Sequence, residues 1–141
     1  MMEETYIFSK QVVFPSERKA VKLFEPLIAE LRDMVSFSDE LYYNILIAGT
    51  EAVNNAIIHG NKCIKNKKVV LIVRANDRAI TVEIRDEGEG FETDEVGDPR
   101  NPDNLMKVSG RGVFLIKELA DGVEFKRTET GMHIKMIFRL K

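Results

Sequence analysis

Apolar and polar residues alternate with the two-residue period of a β-strand in several segments of the chain. The predicted strands cover residues 4–14, 69–75, 79–86, 123–128 and 134–140, and the second of them is apolar almost throughout. Short polar turns join the second strand to the third and the fourth to the fifth, which predicts two hairpins preceded by one further strand. In the third of these strands, the alternation places Ile80, Val82 and Ile84 on the covered face. It extends the same face to Asp86 at the end of the strand.

Three other segments carry apolar residues at the spacing of three and four that is typical of a helix. The first follows Ser16, a good N-cap residue, and contains Pro26, which should kink or split the helix. The second begins near residue 38 or 39 and runs to about Ile58, with Gly60 placed to end it. The third follows the glycine pair in residues 110–112 and leads into the last hairpin.

Length and composition favour one globular domain over residues 1–141, because 44% of the residues are hydrophobic and 31% are charged. Hairpins together with three helices predict an α+β fold, a two-layer sandwich in which helices cover one face of a mixed, mostly antiparallel sheet. The net charge of −2 lacks the basic excess of nucleic-acid-binding proteins. No apolar run could span a membrane, and the single cysteine, Cys63, forms no internal disulfide, so we expect a cytoplasmic protein.

The second helix carries the first candidate site. Residues 45–58 contain no lysine or arginine, so this stretch is typical of a buried helix, yet it includes Glu51 and Asn55 one turn apart. Buried polar groups need partners. In one interpretation Glu51 pairs with a lysine and Asn55 caps a backbone group. In the other, the Asn55 amide oxygen binds Mg²⁺, which takes few protein ligands and completes its shell with phosphate and water.

The second candidate is the segment Asp-Glu-Gly-Glu-Gly-Phe, which begins at Asp86. Gly88 and Gly90 allow a tight turn directly after the strand. One interpretation is a strand followed by a turn in which the aspartate is a cap. The other is a buried acceptor for the amino group of a flat ligand, which the glycines admit against the backbone.

The third candidate is the start of the last helix, where Ser109 precedes Gly110 and Gly112. Free N–H groups at a helix start attract phosphate. Lys107 and Arg111 either neutralise phosphate charge or lie solvated at the surface. The segment before this helix has no periodicity, and a loop of about twenty residues is commonly a functional lid.

Taken in order, the three segments resemble the N box, G1 box and G2 box of the Bergerat-fold (GHKL) ATPases. EAVNNAIIHG is most similar to the anti-sigma factor serine/threonine protein kinases. The resemblance implies that Asn55 binds Mg²⁺, that Glu51 is the general base, and that Asp86 accepts from the adenine amine of ATP. It further implies a phosphate site at the backbone of Gly110 and Gly112, and an ATP lid over residues 92–109.

The resemblance also implies partners. Such a kinase holds a sigma factor and phosphorylates a STAS-type anti-anti-sigma antagonist on serine or threonine, and its relatives often form a homodimer. Two departures concern the site: Met132 stands where relatives often have threonine near the adenine, and Asn54 precedes the N-box asparagine where a small residue is usual. The alternatives are a non-catalytic, nucleotide-dependent partner-binding module and a fragment of a histidine kinase.

Overall fold

The computed structural model describes residues 5–88 and 108–140, with the backbone alone for residues 108–111. Its elements follow the predicted order of strand, helices, hairpin, helix and hairpin. The five strands are β1 (Phe8–Pro15), β2 (Lys68–Ala75), β3 (Ala79–Arg85), β4 (Gly122–Thr128) and β5 (Gly131–Arg139). The helices are a 3₁₀ helix (Arg18–Leu23), α1 (Phe24–Met34), α2 (Asp39–Asn54) with its π-helical continuation (Asn55–Gly60), and α3 (Val108–Leu119).

The strands form one antiparallel sheet in the order β1-β2-β3-β5-β4. In β3, Ile80, Val82 and Ile84 are buried, while the alternating side chains on the other face are partly exposed. The helices pack their apolar sides on the buried face, which gives the predicted two-layer α+β sandwich. The side chains of Phe24, Ile28, Leu31, Ile45, Val53, Ile57, Leu71, Ile116, Met136 and Phe138 are fully buried in this core.

The register of the sheet positions the candidate site at one end. Ile84 of β3 pairs with Ile134 of β5, so Asp86 emerges from β3 beside the start of β5. A backbone bond from Asp86 N to Met132 O, 3.0 Å long, extends this pairing past the end of the strand. Asp86 therefore follows β3 directly and is hydrogen-bonded to β5, so it does not lie in a free loop.

The two helices before β2 depart from the expectation in their details. The helix splits as predicted around Pro26, which lies in the first turn of α1, where a backbone N–H would have no helical acceptor in any case. Ser16, however, is not the N-cap. Its hydroxyl donates to Lys67 O at 2.6 Å, and no side-chain cap bond begins the 3₁₀ helix at Glu17.

The second helix begins as predicted, with Ser38 accepting a hydrogen bond from Leu41 N. It is not buried on every side, because Ile47 is 44% exposed. Gly60 does not end it in the left-handed conformation; Lys62 and Cys63 adopt positive φ instead. No helix within the described residues has the length and apolar character that crossing a membrane requires.

Candidate functional site

The carboxyl end of α2 presents the first two predicted residues together. Glu51 is half-buried and Asn55 is 7% exposed, at the point where the α-helix widens into a π-helical turn. Such turns are uncommon and occur often at functional sites. The Nδ2 atom of Asn55 is buried and has no hydrogen-bond partner among the described residues. A buried donor of this kind is the polar group that a ligand completes.

The amino end of α3 lies directly against this pair. A Cβ atom built on Gly112 would stand 3.0 Å from Asn55 Nδ2 and 3.1 Å from Glu51 Oε2. Glycine permits this close approach, because a side chain at residue 112 would press on the ends of both side chains. The N-terminal turn of α3, whose backbone N–H groups have no acceptor within the helix, is thereby brought to the Glu51 carboxylate and the Asn55 amide.

Asp86 forms the other end of the site and points inward as the alternation predicts, with 8% of its surface exposed. Its Oδ1 atom accepts from Gly88 N at 2.9 Å and from Met132 N at 3.2 Å. No donor among the described residues is recorded for Oδ2. Burial raises the pKa of the carboxyl above its ordinary value, and these two hydrogen bonds oppose the shift. The free Oδ2 is an acceptor for a ligand donor such as an amino group.

Three glycines pack closely around Asp86. A Cβ on Gly60 would overlap the Asp86 carboxylate, one on Gly88 would overlap the carbonyl of Gly60, and one on Gly131 would overlap the carbonyl of Asp86. Sequence reasoning chose Gly88 and assigned Gly60 to a helix end, whereas Gly131 lies between the predicted strands 123–128 and 134–140, where the pattern predicts a turn. Their second role depends on contacts with residues distant in sequence, which the local sequence does not reveal.

Asn61 is a residue that positions the candidate site and that the sequence analysis missed. It is completely buried, and its Nδ2 donates to Ser16 Oγ at 2.8 Å and to Lys68 O at 3.0 Å. Its Oδ1 accepts from Glu87 N at 2.7 Å. The residue therefore ties the end of the π-helical turn to the segment that follows Asp86, and its side chain orients that segment through a fully satisfied amide.

The remaining predicted residues divide by position. Ser109, Gly110 and Arg111 lie in the first turns of α3, which begins at Val108, so the glycine pair is inside the helix rather than before it. Gly90 and Lys107 lie outside the described residues, as does the predicted lid as far as residue 107. The structural alternatives find no support in the described part of the chain: no ion pair is recorded for Glu51, and Asn55 Nδ2 caps nothing.

Comparison with known proteins bears on this arrangement. The sequence pattern of the histidine kinase-like ATPase domain family matches residues 14–138. The chain belongs to this family.

Similar proteins within the family are bacterial regulators. The chain is 35% identical over 104 residues to the anti-sigma F factor of Clostridium acetobutylicum, covering 70% of this chain and 68% of that protein. It is 25% identical over 116 residues to the serine-protein kinase RsbW of Listeria monocytogenes, covering 78% and 74%. The predicted resemblance to the anti-sigma factor kinases is thereby confirmed.

A solved structure agrees with the fold of this ATPase family. The crystal structure of the RsbU and RsbW domains of a Mycobacterium tuberculosis protein superposes with a TM-score of 0.69 at 15% identity. The superposition covers 94% of this chain and 32% of that one, so the chain spans about a third of the longer protein. The likeness confirms the predicted α+β sandwich.

The site of this family member suits a metal ion that has few protein ligands. No group of three His, Cys, Asp or Glu side chains able to hold a metal occurs within residues 5–88 and 112–140. Asn55 supplies one amide oxygen, a donor that Mg²⁺ accepts when phosphate and water complete its octahedral shell. A pair of residues, one amide and one carboxylate, therefore fits metal-bound phosphate better than a closed metal centre.

Proposed function

We propose that this protein is an ATP-dependent serine/threonine kinase that binds a sigma factor and phosphorylates its STAS-type antagonist. The observation that carries the proposal is the contact of Gly112 with both Glu51 and Asn55. That contact joins a helix start suited to phosphate with an amide suited to Mg²⁺ and a carboxylate suited to taking a proton. The names of the relatives, anti-sigma F factor and serine-protein kinase, support the same class of function.

Each residue has a role in the proposal. Asp86 accepts from the adenine amine, and Gly60, Gly88 and Gly131 permit the close packing that fixes Asp86 in place. Asn55 holds Mg²⁺ together with the phosphates, while the N–H groups at the start of α3 bind phosphate oxygens. Bound ATP and Mg²⁺ supply the transferable phosphoryl group and neutralise its charge.

Glu51 decides between a kinase and a module that only binds nucleotide. A serine hydroxyl attacks poorly at neutral pH unless its proton is removed as the new bond forms, and a positioned base contributes about 10² to 10⁴ in rate. Glu51 is one turn before Asn55 and half-buried, without a lysine or arginine partner among the described residues. Its carboxylate is thus available to accept a proton.

The test is single-turnover transfer of labelled phosphate from ATP to candidate STAS-type antagonists, with Glu51→Gln compared with the wild type. The variant keeps the size of the side chain but cannot accept the proton, so we expect transfer to fall by at least about a hundredfold. ATP affinity should stay nearly normal. Glu118→Gln, an exposed change of the same type on α3, is the matched control and should transfer at the wild-type rate.

Two outcomes would change the proposal. If the wild type transfers and Glu51→Gln keeps pace, Glu51 is a structural carboxylate and the base lies elsewhere. If the wild type binds ATP and antagonist but transfers no phosphate, the protein is a nucleotide-dependent partner-binding module.

A further inference from the structure

Two segments that are far apart in sequence meet at a surface beside the adenine end of the site. Residues 16–22 and 61–68 are joined by the hydrogen bonds of Ser16 with Lys67 O and with Asn61 Nδ2. Lys65 Nζ also lies 3.7 Å from Glu17 Oε1. Between the segments is an open hollow of about 420 Å³, lined by Ser16, Glu17, Arg18, Lys19, Cys63 and Lys65. We call this surface the basic patch.

The basic patch concentrates positive charge on an acidic protein. Its 15 residues hold seven cations and a single carboxylate, Glu17, for a formal charge of +6. The whole chain carries −2, so all other residues together carry −8. Most of the cations are exposed; the seven are Arg18, Lys19, Lys22, Lys62, Lys65, Lys67 and Lys68. An asymmetry of this kind steers binding of a partner of opposite charge.

Apolar side chains accompany the charge. Leu23, which directly follows the first segment, and Ile64, within the second, are 49% and 42% exposed. Large exposed apolar residues among cations are typical of a protein interface, in which apolar contacts lie within a charged rim. A bare phosphate-binding surface for nucleic acid has no need of them.

The backbone of the loop is held in an unusual conformation. Lys62 and Cys63 have φ values of 53° and 57°, a left-handed region that residues with a Cβ rarely occupy. Hydrogen bonds from Cys63 N to Ile57 O at 2.8 Å and from Ile64 N to Asn61 O at 3.0 Å maintain it. The loop therefore presents Lys62 and Lys65 from a defined shape, and such strain persists mainly where function requires it.

We propose that the basic patch is a docking surface for an acidic peptide segment, with an apolar residue among its carboxylates, on a partner protein. The hollow seats the segment between the 3₁₀ helix and the loop, its carboxylates meet the lysine and arginine side chains, and its apolar residue meets Leu23 or Ile64. The proposal depends on the surface alone, so it stands or falls separately from phosphoryl transfer.

The test uses a labelled peptide in which one leucine is flanked by runs of glutamate, titrated with the full chain at low and at high salt. We expect binding that weakens with salt and that falls about tenfold or more in Lys62→Glu/Lys65→Glu. Arg78→Glu/Lys126→Glu makes the same charge change at two exposed sites elsewhere and should bind as the wild type does. Circular dichroism and thermal melting establish that both variants are folded.

Two further probes make the test decisive. A peptide with lysine in place of glutamate should not bind, and neither should single-stranded oligothymidine. Failure of the wild type to bind the glutamate peptide would overturn the proposal, and so would equal losses in the two double variants. Binding of oligothymidine in preference to the peptide would assign the patch to nucleic acid instead.

Discussion

Gly112 of α3 stands so close to Asn55 of α2 that a single added methyl group would lie 3.0 Å from the Asn55 amide nitrogen. Real Cβ atoms seldom approach a neighbour this closely, so an alanine would displace Asn55 or Glu51 by a few tenths of an ångström. The absence of a side chain at residue 112 therefore lets the amide and the carboxylate keep their present positions. The pair and the helix start form one geometric unit.

Gly112→Ala should separate stability from function. Alanine favours a helix over glycine by about 1 kcal/mol, which offsets the steric cost, so we expect little loss of stability. Phosphoryl transfer should fall by about tenfold or more, because small displacements of catalytic groups are costly. Gly122→Ala is the control, since its Cβ would make only an ordinary contact of 3.5 Å with Ile137. Equal transfer rates in the two variants would contradict the geometry.

Asn55→Ala should abolish the tightening of ATP binding by Mg²⁺, while adenosine binding is nearly unchanged. The variant removes a buried amide whose nitrogen has no partner among the described residues. Because no hydrogen bond of that nitrogen is lost, we expect a smaller loss in the free energy of unfolding than for a hydrogen-bonded amide. Calorimetric titration with ATP, in Mg²⁺ and in EDTA, measures the effect. Asn54→Ala, the neighbouring asparagine, is the control. An Asn55→Ala protein that still loses affinity in EDTA as the wild type does would place the metal ligand elsewhere.

The local pattern of apolar and polar residues was sufficient to predict the fold and half of the site. The two-residue alternation in β3 placed Asp86 on the buried face, and one helical turn placed Glu51 with Asn55, because both periods act over a few residues. The N-cap prediction for Ser16 was wrong, because the partners of its hydroxyl are distant in sequence. The position of Ser16 before a helix is typical of an N-cap. The hydroxyl instead donates to Lys67 O and accepts from Asn61 Nδ2, and these residues lie 51 and 45 positions away.

Close backbone approach is the other feature that local pattern does not reveal. Gly131 reads as a turn residue, and nothing in its neighbours indicates that its Cα faces the carbonyl of Asp86 across the sheet. Gly60 likewise reads as a helix end, yet it packs on the Asp86 carboxylate. Sheet register decides the contact of Gly131, and the packing of the helix end against the sheet decides that of Gly60; register follows from the whole set of strand pairs.

Gly131→Ala tests this packing. The new methyl group would overlap Asp86 O, and residue 131 has a φ of +156°, so the β3–β5 junction must move. We expect a loss of about 1–3 kcal/mol in the free energy of unfolding, the usual cost of overpacking. Urea denaturation measures it, with Gly122→Ala as the reference for a glycine with room. A Gly131→Ala protein as stable as that reference would show that the junction has space.

Asp86→Asn tests the adenine acceptor by affinity. Oδ1 already accepts from Gly88 and Met132, so the change should place an amide donor at the Oδ2 position, where the proposed adenine amine would bind. A donor facing the adenine amine leaves two unpaired polar groups, and we expect ATP and ADP affinity to fall by about 2 kcal/mol or more. Unchanged affinity in the folded variant, measured by calorimetry, would remove Asp86 from the adenine site.

Asp86→Asn should also change the way in which the free energy of unfolding depends on pH. Burial raises the pKa of Asp86 in the folded protein above its ordinary value of 3.8, so between these two values the folded state binds more protons than the unfolded state. Stability contributed by this group is therefore present below pH 3.8 and is lost as pH rises through the folded pKa. Asparagine does not titrate and has no such loss.

The free energy of unfolding of Asp86→Asn, taken relative to the wild type, should consequently increase between pH 4 and pH 7. Subtracting the two urea-denaturation series cancels the other carboxylates, which titrate in both proteins. A difference that stays constant or decreases over this range would mean that the two backbone hydrogen bonds outweigh burial, and that Asp86 enters the site already stabilised as a carboxylate.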